Sequence, residues 1–137
     1  MIESELFAAY IATEYQVYWG SGSVILRIDQ PSPDLARLHA AMGVSTSAFI
    51  SAWNPSSKLA PASINEAAQQ HLERMLETLG IPVVPGEGAD PTGQWPAERS
   101  VLALGISCDE ACRVGRLYQQ NAIVFADQDA TPRLVIL

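Results

Sequence analysis

Ser47-Ala48-Phe49-Ile50-Ser51-Ala52-Trp53, then Ser63-Ile64-Asn65-Glu66, then Ile81-Pro82-Val83-Val84 beyond Gly80: this stretch decides the fold. Its first seven residues predict a strand. Asn54-Pro55-Ser56-Ser57-Lys58 breaks that strand with turn-forming residues. Ser63 and Glu66 have the spacing of a capping box, in which the serine caps and the glutamate reaches back. Ala68, Leu72, Met75, Leu76 and Leu79 carry a helical apolar stripe as far as Gly80, and residues 81–84 predict a short strand. Strand, helix and strand in this order form a β-α-β unit, expected to be parallel with a right-handed crossover. Both strands then end at one edge of the sheet.

Upstream, residues 4–13 predict a helix with Leu6, Phe7, Tyr10 and Ile11 on one stripe. Residues 16–19 and 24–28 predict strands, joined by a hairpin at Gly20-Ser21-Gly22. Ser32-Pro33-Asp34 starts a helix with a capping serine, a proline suited to the first turn and an acid for the dipole. Leu35, Leu38 and Met42 form its buried face, His39 lies at the boundary, and Gly43 is the stop. Downstream, residues 85–97 predict a loop rich in Pro and Gly, long enough to suggest a function. Residues 101–106 predict a strand covered on both faces. Ser107 to Glu110 is a second capping box, whose helix, 108–119, presents the small residues Cys108, Ala111, Cys112 and Gly115. Residues 122–126 and 134–137 predict the last strands. The order α-β-β-α-β-α-β-β-α-β-β gives one α/β domain over residues 1–137, a mixed sheet of about six or seven strands with helices packed on it.

Composition narrows the function classes. With 48% hydrophobic and only 17% charged residues, the chain has the balance of a folded core, not of a disordered segment. The net charge of −7 argues against nucleic-acid binding, which draws on a basic surface. The closest basic pair, Arg113 with Arg116, reads as a solvated helix face. Met1-Ile2-Glu3-Ser4-Glu5 has no basic-then-apolar leader pattern, and no apolar run reaches the roughly 18 residues of a membrane span. The expectation is a cytoplasmic protein with no membrane partner. Cys108 and Cys112, at i and i+4, stand too far apart for a disulfide and make a weak metal signal, so they read as reduced packing residues. His71 falls off its helix stripe and reads as exposed.

The candidate site follows from topology. The β-α-β crossover brings Trp53, Asn54 and Lys58, the helix start near Asn65 and the loop with Trp95 to one sheet edge. An antiparallel strand 101–106 would bring Glu98 and Ser100 there too, and the return of helix 108–119 adds Gln120 and Asn121. Crevices at strand ends of open α/β sheets commonly hold ligands. Asn54, Asn65, Gln120 and Asn121 offer paired donors and acceptors, Lys58 and the helix start favour an anion, and Trp53 and Trp95 could stack on a planar group. Glu98 is the carboxylate beside them, suited to act as acid, base or acceptor. Each also has a structural role open to it: Asn before Pro caps or turns, Trp95 pins its loop, and Glu98 pairs with Arg99 or a backbone amide. Glu87 and Asp90 could contribute to a cation site, though two loop carboxylates are usually just solvated, and no metal or cofactor site is expected. No P-loop, dinucleotide fingerprint, Ser-His-Asp or Cys-His arrangement is present. A small polar or anionic ligand site, with or without catalysis, is one expectation; a protein-interaction or regulatory module is the other.

Phe49-Ile50-Ser51-Ala52-Trp53-Asn54-Pro55 resembles the F-I-T-A-W-N-P block of a bacterial family known as domain of unknown function 3293. Ala9-Tyr10 with Thr13 and Tyr15, residues 86–95, residues 96–100 and Gln120-Asn121-Ala122 extend the resemblance over nearly the whole chain. The sequence departs from the family at Ser51, in place of Thr, at Arg99, in place of an acid, and at Gln119, in place of Gly. The resemblance implies a fold and a grouping of motifs, and no activity.

Overall fold

Local signals and strand alternation account for most of the architecture. A computed structural model describes residues 4–137; Met1-Ile2-Glu3, on which the leader reading partly rests, lies outside the described residues. Helix α1 spans Ser4–Ala12, followed by strands β1, Glu14–Trp19, and β2, Gly22–Leu26. Helix α2 spans Pro33–Met42, capped by the Ser32 side chain accepting from Leu35 N and stopped at Gly43 in the left-handed region, as its sequence predicts. Strand β3 spans Ser47–Ile50, α3 Ala62–Thr78, β4 Val83–Ala89 and β5 Glu98–Leu104. Helix α4, Cys108–Leu117, and strands β6, Ala122–Ala126, and β7, Arg133–Ile136, complete the chain. The order of elements is the expected one, and the fold is α/β.

The seven strands lie in the order β2-β1-β4-β5-β3-β6-β7, with every neighbouring pair antiparallel, so the sheet is antiparallel and not mixed as expected. β3 and β4 do run in the same direction, as the crossover through α3 requires, but β5 sits between them. Alternation along β5 builds two cores. Leu102 and Leu104 face one side with Leu35 and Leu38 of α2. Val101 and Ala103 face the other with Leu72 and Leu76 of α3 and Ala111 and Val114 of α4. Each fully buried leucine contributes about 1.5–3 kcal/mol relative to exposure. Small residues do let α4 approach: a Cβ on Gly115 would press on Leu137 and Ile123. Cys108 and Cys112 are unpaired thiols and half-buried. Burial raises the Cys108 pKa, with Cys112 adding to the effect.

Several expectations are corrected. Residues 85–97 are not one loop, because β4 continues to Ala89. Gly86 lies where a Cβ would fall on the Gln16 carbonyl oxygen of β1, so its glycine serves a close strand approach. β3 ends at Ile50, since Ser51 turns to donate to Arg99 O and to accept from Trp53 N. α3 starts one residue before Ser63, with Pro61 at its N-cap and no side-chain cap, so the first capping box does not form. Met42 and Leu79 are exposed, whereas His39 is buried, its Nε2 2.8 Å from Ser47 Oγ. The stripe of α1 stays largely uncovered: none of its residues is buried, and Phe7 and Ile11 keep 44% and 40% of their surface. His71 is exposed, as expected, and its Nδ1 lies 2.6 Å from the Tyr118 hydroxyl. No helix among the described residues is long and apolar enough to cross a membrane.

Candidate functional site

Asn54 stands where the chain leaves β3, in the left-handed region at φ +46°. Its backbone N donates to Asn65 Oδ1 at 2.8 Å, and its Oδ1 accepts from Asn65 Nδ2 at 2.8 Å and from Ala60 N at 3.1 Å. Its Nδ2 donates to Glu98 Oε1 at 3.0 Å. Its carbonyl accepts from Ser57 N at 2.9 Å. Ser57 Oγ in turn accepts from Asn121 Nδ2 and meets the Tyr10 hydroxyl, both at 2.9 Å. Gln120 Nε2 donates to the carbonyls of Trp53, at 3.3 Å, and Tyr118, at 3.2 Å. Thus Asn54 touches both Asn65 and Glu98 directly, Asn121 joins through Ser57, and Gln120 holds the backbone beside Asn54.

Three of the sequence candidates are not drawn in by their side chains. The Trp53 ring is half-buried, and this residue enters the network through its backbone. Lys58 is exposed and its amine makes no hydrogen bond or ion pair among the described residues. Trp95 is 58% exposed on the loop over residues 90–97, where the Asp90 carboxylate accepts from the backbone of Thr92, Gln94 and Trp95. Those bonds, with the Thr92 hydroxyl first, hold Asp90 below the usual carboxylate pKa. Tyr10, Tyr15 and Ser57 belong to the network although composition and topology did not single them out. Tyr10 and Tyr15 could have been found, because both stand in the family-like motifs; Ser57 carried no signal beyond its place in the polar break.

Glu98 is half-buried, and burial raises its pKa while the Asn54 amide pulls it back. Arg99 gives it no counter-charge. Successive strand residues point to opposite faces, and Arg99 pairs instead with Glu66 and Glu73 of α3. Tyr15 is buried beneath the site, its hydroxyl donating to Tyr10 O at 2.6 Å and its ring edge-on to Phe49 at 5.2 Å. Burial lifts its pKa above the ordinary range, and the Glu98 charge adds to this.

The surrounding backbone is strained. Asn54, Ser56, Ser57 and Gln119 all have positive φ, and Ser56 N donates to Gln119 O at 2.6 Å. Non-glycine residues held there cost about 1–3 kcal/mol each and cluster at functional sites. An open groove of about 550 Å3 lies elsewhere, between the second half of α3 and residues 81–83. No group of three or more His, Cys, Asp or Glu that could hold a metal occurs among the described residues.

Residues 50–123 match the family described as Protein of unknown function (DUF3293). The chain belongs to this family. No curated protein and no solved structure matches it. The segment matched by DUF3293 contains Asn54, Ser57, Asn65, Glu98, Gln120 and Asn121, while Tyr10 and Tyr15 lie before it. The blocks that resemble the family therefore meet in space: the Ala9-Tyr10 and Tyr15 blocks, residues 49–55, Glu98 and Gln120-Asn121 share one hydrogen-bonded edge.

Proposed function

We propose that this DUF3293 domain binds a small polar ligand at the sheet edge centred on Asn54, with Glu98 facing the ligand. The supporting observation is the state of Glu98. Asn54 fixes one carboxylate oxygen, while the other accepts no hydrogen bond among the described residues. A half-buried carboxylate without an ion-pair partner costs stability, and such a group is more readily explained by a ligand than by the fold. Its raised pKa also suits proton transfer, should the ligand react.

The test is Glu98→Gln, which keeps an oxygen for Asn54 and removes the charge. With its pKa raised in the fold, Glu98 binds its proton more tightly folded than unfolded. Its contribution is therefore most favourable in acid and declines as pH rises through the carboxylate range, levelling above the folded pKa. At pH 7 the variant should match or exceed the parent in chemical denaturation, with the gap closing in acid. A loss of about 1–3 kcal/mol at pH 7 would mark Glu98 as a structural acceptor and sink the proposal.

A second reading, a protein-docking face, is favoured by the apolar residues at the same edge. Leu59, Leu117, Trp95 and Ile64 are the most exposed large apolar side chains among the described residues, and each stands within three residues of Ala60, Gln120, Glu98 or Asn65 in sequence. Loss of a ligand-dependent signal on Glu98→Gln, with Leu59→Ser silent, separates the first reading from the second.

A further inference from the structure

We propose that the ligand is a small organic cation, an ammonium or guanidinium group, held by hydrogen-bond acceptors beside Asn54. This rests on the reading of the edge as a ligand site and narrows the ligand's class. Backbone partners fix which way three of the four amides point. Asn54 Oδ1 accepts from Ala60 N, Asn65 Nδ2 donates to Ala60 O, and Gln120 Nε2 donates to the Trp53 and Tyr118 carbonyls. In these orientations the donors are largely committed inside the protein. Asn65 and Gln120 use both N–H groups, and Asn54 and Asn121 use one each.

The acceptors are left over. Glu98 Oε2 and Gln120 Oε1 accept no hydrogen bond among the described residues, and Glu98 is the one charged member of the set. A site rich in unused acceptors and holding a carboxylate complements a group that carries several N–H donors and a positive charge. Arg99, the nearest cation in sequence, is held on the other face by Glu66 and Glu73. The chain's net charge of −7 attracts cations at long range. The sequence suggested the reverse polarity, from Lys58 and the start of α3; but Lys58 joins nothing in the network, and Asn65 uses its side chain inside the protein.

The experiment titrates isotope-labelled, folded protein with butylammonium, methylguanidinium, acetamide and inorganic phosphate, following the side-chain amide signals of Asn54, Gln120 and Asn121 by NMR. One or both cations should shift these signals saturably, and Glu98→Gln should weaken that binding roughly tenfold or more. Should Glu98→Gln fail to fold, cation affinity in the parent must still fall as pH is lowered through the titration of Glu98; a flat profile overturns the inference. Saturable shifts with phosphate or acetamide and none with the cations would overturn it while leaving the ligand site standing. Silence with all four probes would overturn both.

Discussion

Two helices carry the same four-residue signal, and only one uses it. At α4 the serine half of the box forms: Ser107 is extended at φ −75° and ψ 159°, and its Oγ accepts from Glu110 N at 3.1 Å, while the Glu110 side chain makes no return bond to Ser107 N. Ser63-Ile64-Asn65-Glu66 lies inside α3, which starts at Ala62 behind Pro61. The two polar residues that follow Ser63 have distant partners instead. Asn65 binds Asn54 and Ala60, and Glu66 pairs with Arg99 of β5. A local capping rule describes α4 because its first turn has no other task; at α3 the sheet edge overrides it.

The contrast can be broken at its strongest point with Asn65→Ala. This removes both bonds to Asn54 and the one to Ala60 O from a buried position, leaving Asn54 N without its partner. The expected loss is about 3 kcal/mol by urea denaturation, with Asn54 and Ser57 amides gaining hydrogen-exchange rate. A loss below about 0.5 kcal/mol would mean that the edge does not depend on Asn65. Ser107→Ala tests the working cap and should cost about 1 kcal/mol, recovered in large part by Ser107→Asp. A neutral Ser107→Ala would erase the difference between the helices. Ser63→Ala sharpens the contrast at the small end: Ser63 stands in the first turn of α3 without capping it, so stability should stay within about 0.5 kcal/mol. If Ser63→Ala costs as much as Ser107→Ala, α3 is capped by Ser63 in solution.

The same division explains what the sequence could reveal. The order of elements was legible because caps, turns and apolar spacing are local, as at Ser32, Gly43 and Ser107. Meeting of Asn54, Glu98 and Asn121 was legible too, because a crossover and a helical return leave few places for strand ends. The continuation of β4 was not. Pro85, Gly86 and Gly88 read as a loop, and the reason for Gly86 lies in the Gln16 carbonyl of a strand far away in sequence. Nor could the polarity of the edge be read, since an asparagine's name does not say which of its atoms is already engaged.

The position of β5 has a consequence for biosynthesis. β3 is buried along its whole length, and both its neighbours come later: Phe49 pairs with Leu102 and with Val124. As the nascent polypeptide leaves the ribosome, this apolar strand has no partner until residues 98–104 emerge, a non-local arrangement of the kind that folds slowly and exposes sticky intermediates. The edge site shares that delay. Asn54 meets Ser57, Ala60 and Asn65 soon after it is made, but its bond to Glu98 and the link from Ser57 to Asn121 wait for the later half of the chain.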